Sequence, residues 1–196
     1  MKKKNKYVIR QLCMVAGIGL FVAAIITMIL WQWEIRSSEK KANTYVQTLR
    51  SLIPEPQGAV PEERSDNAMP VLSVDNTDFV GILEMPRYGS ALPVGADWGN
   101  ITQYLCCFSG SVYDGTMQIG GTSQKGQFDF YREISVGDAL YFSDMEGNRF
   151  AYEVTDVRYE KHADQSALQR RDADLKLFVK NVYAFEYIII FCDIMR

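Results

Sequence analysis

From Leu12 to Trp31 the chain runs 20 residues without a charged side chain, directly after the basic stretch that holds Lys2, Lys3, Lys4, Lys6 and Arg10. As a helix, such a run is long enough to cross the hydrocarbon core of a bilayer. The basic flank predicts a cytoplasmic N-terminus, and Trp31 and Trp33 suit the far interface, which leaves everything beyond them outside the cell. The apolar stretch continues through Ile29-Leu30-Trp31 and does not close on small residues, so it reads as an uncleaved single-pass anchor and not as a signal peptide.

After the anchor the pattern changes twice. Between Glu34 and Ile53 a sparse apolar set, Tyr45, Leu49 and Leu52, recurs among Lys, Glu, Gln and Arg, which predicts a helical stalk with one weak apolar face. Pro54, Pro56, Gly58, Pro61 and Pro70 then interrupt it, so residues 54–76 read as an extended tether. From Thr77 the period is mostly two. Residues 79–85, 116–120, 139–143, 149–158 and 187–192 are rich in aromatic and branched side chains and bounded by Gly, Asp or Asn, as strands are. Met145-Glu146-Gly147-Asn148 reads as a hairpin turn. Helical signal is confined to short connectors around 128–134 and 165–177, so the expectation is an all-β barrel or sandwich. The division is therefore 1–33 (basic tail and transmembrane helix), 34–76 (stalk and linker) and 77–196 (β domain).

Charge sharpens this picture. The formal net charge is −3, but five of the 21 basic residues precede the apolar run and all 24 acidic ones follow it, leaving residues 34–196 at −8. That disfavours nucleic acid or an anionic lipid surface as partner of the outer part. The four cysteines do not form a disulfide framework: Cys13 is in the apolar run, Cys106 and Cys107 are adjacent, and Cys192 stands alone. No Cys-x-x-Cys pair or His-Cys cluster suggests a metal site, and nothing points to a cofactor. Asn100-Ile101-Thr102 fits the glycosylation acceptor pattern, a weak signal alone.

An ordered series of short motifs carries more: Gly81-Ile82-Leu83-Glu84-Met85-Pro86, Ala91-Leu92-Pro93-Val94, Ser109-Gly110-Ser111-Val112-Tyr113, Met117-Gln118-Ile119-Gly120-Gly121-Thr122, Val136-Gly137-Asp138, and Phe185 to Cys192. In this order and spacing the chain resembles the sortases, membrane-anchored cysteine transpeptidases of Gram-positive bacteria, over roughly residues 79–192. The resemblance implies a sortase-type β-barrel and a substrate class, the C-terminal sorting signal of secreted proteins. It also implies a chemistry in which a Cys thiolate cleaves one peptide bond and the acyl group passes to a cell-wall or pilin amine. That chemistry needs a thiol, a His to exchange protons and an Arg to steady the oxyanion. In the family the His follows a strand, the Cys closes a strand, and the Arg lies on the strand after it.

Carried onto this chain, the resemblance places Cys192 at the nucleophile position, with a small buried hydrophobe as the alternative role. It places Thr122 at the His position, where a hydroxyl that satisfies backbone groups of a turn cannot exchange protons near neutral pH. The sole histidine, His162, falls in a charged loop segment that borders the family's groove. Arg196 lies too near Cys192 to align with the family's Arg, so the final barrel strand is expected to be lacking and the edge of residues 187–191 to be bare. Tyr113, Phe128, Phe130 and Tyr131 are candidates for lining a peptide groove or for the core. Three functions follow: a degenerate sortase that binds sorting-signal peptides without cutting them, a transpeptidase with an unconventional base such as His162, or a truncated gene product.

Overall fold

The computed structural model describes residues 2–54, 67–161, 172–184 and 186–195, without the side chains of residues 2–13, 15 and 31–38. The chain divides into two compact units, Met1–Ser37 and Ser38–Arg196. The first unit is helical, part of α1 (Lys2–Leu52). Among the described residues no helix is long and apolar enough to cross a membrane, so the expected span has no support here. The uninterrupted described side chains of that stretch are those of residues 16–30, all exposed.

The second unit is a closed barrel. Its strands are β1 (Leu72–Val74), β2 (Thr77–Met85), β3 (Ser90–Gly95), β4 (Leu105–Ser109), β5 (Met117–Thr122), β6 (Ala139–Asp144), β7 (Arg149–Glu160), β8 (Leu175–Lys180) and β9 (Tyr187–Ile194). They hydrogen-bond in the order β1-β2-β3-β4-β5-β8-β9-β7-β6, and β6 returns to β2, closing eight strands into a barrel with β1 as a flanking ninth. The β3–β4 and β5–β8 pairs are parallel and the others antiparallel. Asp75 and Asn76, both at positive φ, make the two-residue turn that joins β1 to β2. The hairpin at Met145–Asn148 forms as expected, with the Asp144 N–H donating to the Asn148 carbonyl at 3.0 Å.

Three expectations are corrected. First, β9 is not a bare edge: Ile190 lies opposite Val157 of β7 on one side and Leu177 of β8 on the other. Ile188, Ile190 and Cys192 point into the barrel, while Ile189 and Phe191 are covered outside by Phe178 and Ala173, with the Arg158 guanidinium 5.3 Å above the Phe191 ring. Burial on both faces explains the unbroken apolar run. Second, residues 175–177 of the predicted helical connector are in β8, while residues 162–171 lie outside the described set. Third, residues 128–134 form turns and no helix.

From Ser38 onward the helix packs on the barrel. Leu49 is fully buried with Phe79, Ile82, Tyr104, Cys106 and Met145, and Tyr45 meets the Phe79 ring at 4.9 Å. Arg50 and Arg149 both reach Glu84, at 2.5 and 2.9 Å. At Gly126, φ is +81° and an added Cβ would meet the Glu39 Cα at 2.7 Å, so a glycine is what lets the connection after β5 lie against the helix backbone.

Candidate functional site

Two expected site residues anchor the comparison, and the barrel keeps them apart. Thr122 ends β5 and is in register with Lys180 at the end of β8. Cys192, on β9, is in register with Leu175 at the beginning of β8. Five residue steps along β8 separate the two levels, about 17 Å at the usual strand rise. They also differ in direction. Cys192 faces the core. A Cβ on Gly121 would meet core residues Leu105 and Phe128, so its neighbour Thr122 faces outward by strand alternation.

The Cys192 thiol is fully buried, and burial, with a lesser contribution from Asp193, pushes its pKa up. A thiol held this way stays protonated near neutral pH and has no access to a substrate. Cys106 is also buried, its pKa pushed up to about 12, and burial raises that of Cys107. His162 and Arg196 lie outside the described residues. Among the described residues, no group of His, Cys, Asp or Glu is arranged to hold a metal ion.

At the Thr122 level, the ends of β5 and β8 carry a buried polar network. Gln127 is the centre of one half: its Oε1 accepts from the Thr122 N–H at 2.7 Å and from the Thr122 hydroxyl at 3.1 Å, and its Nε2 donates to the Ile101 carbonyl at 3.0 Å. Asn181 is the centre of the other half. Its amide nitrogen donates to the Tyr131 hydroxyl at 2.9 Å and to Glu186 at 2.8 Å. Its amide oxygen accepts from the Tyr183 N–H at 3.0 Å and the Ser123 hydroxyl at 3.4 Å. The Ser123 N–H donates to the Lys180 carbonyl at 3.0 Å, and the two halves adjoin through the peptide bond between Thr122 and Ser123. Thr122, Ser123, Gln127 and Asn181 are each at most 4% exposed. Such a network fixes the loop and offers neither a thiol nor an imidazole.

The aromatic candidates are packing residues. Phe128 is in the core, Tyr131 is buried against Asn181, Phe130 stacks on Tyr88 at 4.6 Å, and Tyr113 meets Phe150 edge-on and bonds Asp144. A different aromatic group, which the motif series does not single out, lies on the outer face of β4, β5 and β8. There Trp98, Phe108 and Phe178 contact one another with centroids 5.0 to 5.7 Å apart. Its legible signal is Phe178 between Lys176 and Lys180 on a strand of period two.

The raised thiols have a consequence for stability. Cys106, Cys192 and Tyr152 hold their protons more tightly folded than unfolded, each mainly because of burial. The contribution of the two thiols is therefore complete below the unfolded thiol range, near pH 8.5, and that of Tyr152 below about pH 10; each is lost as pH rises above that point, with a slope of up to about 1.4 kcal/mol per pH unit for each group. The melting temperature should fall steadily from pH 8.5 to 11, and Cys192→Val should flatten the fall. A constant melting temperature over that range contradicts the assignment.

No protein-family model matches this sequence, and no curated protein matches it. Solved structures do. Sortase A from Corynebacterium diphtheriae is 17% identical, with 83% of this chain and 84% of that one covered and a TM-score of 0.53. Sortase C-3 from Streptococcus pneumoniae is 20% identical, with 83% and 82% covered and a TM-score of 0.53. Sortase C1 from Streptococcus agalactiae is 15% identical, with 83% and 87% covered and a TM-score of 0.51. The fold of the chain is thus the sortase fold.

Proposed function

We propose that this protein is a single-pass cell-membrane protein whose outward-facing sortase-type barrel holds peptide segments of the sorting-signal kind without cutting them. The observation that carries the reading is the hydrogen-bonded amide and hydroxyl network at the ends of β5 and β8, with Cys192 buried at the opposite level. In this reading β8, not β9, stands in for the family's cysteine-bearing strand. It is the strand beside Thr122, and a further strand follows it, as the family's order of Cys strand and Arg strand requires. Lys180 and Asn181 then occupy the nucleophile's end of the strand, and Ile188 and its neighbours take the level of the Arg. None of these groups supplies a thiolate or a fixed oxyanion cation.

The membrane anchor in this reading rests on the apolar run Leu12–Trp31 and its basic flank. Ile18, Leu20, Phe21, Ile26 and Ile29 on that helix are all more than half exposed, a surface that water does not favour and lipid does. The barrel then lies outside the cell.

The test is turnover against binding. The full chain in neutral detergent should leave a sorting-signal-type peptide uncut in the presence of an amine acceptor, while retaining it in equilibrium dialysis. Cys192→Val should behave identically. Cleavage by the natural chain that Cys192→Val abolishes would instead support a working transpeptidase.

A further inference from the structure

The Glu84 carboxylate near the end of β2 is shared by two guanidiniums from distant parts of the chain. Arg50, one residue past the buried Leu49 of the helix, reaches its Oε1 at 2.5 Å. Arg149, at the start of β7, reaches its Oε2 at 2.9 Å after crossing β6, where its guanidinium lies 4.4 Å from the centre of the Tyr141 ring. Register explains the crossing: Glu84 pairs with Tyr141 and Ile82 with Ser143 between β2 and β6, and Ser143 pairs with Arg149 between β6 and β7. Among the described residues, no other acid bridges two guanidiniums, and this set carries two positive charges against one negative. Beside it a cleft of about 270 Å³ opens between the end of the helix and the β6–β7 hairpin, with apolar walls from Ile53, Pro54 and Ile82. The Arg50 and Arg149 side chains line it and are 55% and 41% exposed, so the donors that Glu84 leaves free are open to a ligand there.

We infer that this cleft is a binding site for a small organic monocarboxylate with a compact apolar body. Glu84 itself shows that a carboxylate fits between the two guanidiniums, whose planar forks present paired N–H donors matched to that group. Each guanidinium has five such donors and Glu84 engages one nitrogen of each, which leaves donors for a second carboxylate. Charge selects the valence of the ligand. A monoanion brings the two guanidiniums and Glu84 from +1 to zero, whereas a phosphate monoester, at about −1.5 to −2, leaves the set negative and lies against the Glu84 carboxylate. The walls select the body. Ile53, Pro54 and Ile82 favour an alkyl or aromatic group, and a bare anion such as acetate forgoes that contribution. The volume lies just below the roughly 300–1,000 Å³ of sites for drug-sized ligands, which suits a molecule of one ring. The site shares no residue with the network at the ends of β5 and β8, and it goes beyond the peptide-holding reading without depending on it.

The experiment follows the fluorine resonance of para-fluorophenylacetate as the full chain is added in neutral detergent, with para-fluorophenylacetamide and para-fluorophenyl phosphate as comparisons and protein-free detergent as the blank. The carboxylate should shift saturably with a Kd of about 1 mM or below. The neutral amide and the phosphate should each bind about tenfold more weakly or worse, and Arg50→Gln and Arg149→Gln should each weaken the carboxylate about tenfold. Glu84→Gln should do the opposite: with the competing anion gone, the carboxylate binds about threefold tighter or more and the phosphate is admitted, which a loosened fold does not produce. Absence of saturation, equal affinity for carboxylate and amide, or tighter binding of the phosphate to the natural chain overturns the inference, and these three comparisons decide it even where a variant fails to fold. Unchanged affinity in an arginine variant that melts normally, or weaker binding in a Glu84→Gln protein that melts normally, overturns it as well. A sorting-signal-type peptide should neither displace para-fluorophenylacetate nor be displaced by it; mutual displacement would contradict the placing of the site.

Discussion

Ile190→Asp is expected to leave the barrel unable to fold. The residue is fully buried at the centre of β9, between β7 and β8. Losing its apolar burial costs about 2–3 kcal/mol, and an unpaired carboxylate in the barrel interior costs several kcal/mol more. Together these match the roughly 5–15 kcal/mol by which a domain of this kind is stable. Ile190→Val in the same position should cost only about 0.5–1.5 kcal/mol. Circular dichroism melts of the two variants separate the outcomes: no cooperative transition for Asp, and a transition lowered by a few degrees for Val. A folded Ile190→Asp protein would mean that β9 is a surface strand after all.

That strand also shows where the sequence is readable and where it is not. The hairpin between β6 and β7 is legible because alternating apolar residues flank a turn with Gly147 at positive φ. β2 and β5 are legible for the same reason of composition. β3 and β4 escape notice because one carries Pro93 and the other is five residues long with Cys at its centre. β8 is the costly omission. Leu175, Leu177 and Val179 alternate with Lys176, Phe178 and Lys180, a clear period of two, but the Gln, Leu and Arg of the preceding segment favour helix and draw the predicted element across its start.

With β8 unread, the only strand near the chain end that resembles a cysteine-bearing strand is β9, because Tyr187 to Phe191 is followed by Cys192. In the reading proposed above, the whole site is then registered one strand too late. Thr122 falls at the end of β5, whose six residues coincide with the motif that marks it in the sequence. Its hydrogen-bond partner Gln127, and the Ser123–Asn181 contact next to it, are not legible, because amide contacts five and 58 residues away depend on how the loops close. The lysine and aromatic face is half legible: the alternation is in the sequence, but Trp98 reaches it only through the glycine at position 120.

The second large effect concerns thiols. In a chain with Cys13, Cys106 and Cys107 replaced by Ala, Cys192 should react with a maleimide only through unfolding. At the lower end of domain stability that slows labelling about a thousandfold or more relative to the denatured chain. Lys180→Cys in a Cys192→Val background should do the opposite, because position 180 is exposed at the end of β8. It should label at an ordinary exposed-thiol rate.

The most direct test is the titration of these two thiols with and without Thr122→His, since the account rests on which strand end lies beside Thr122. The registry of β5 with β8 predicts that Thr122→His, once its imidazole is protonated, lowers the pKa of the thiol introduced by Lys180→Cys by about one unit or more. Cys192 should remain unreactive in both backgrounds. An alkylation rate for Cys192 that becomes fast and pH-dependent near neutrality when Thr122 is changed to His, with no shift for the position-180 thiol, would contradict the account.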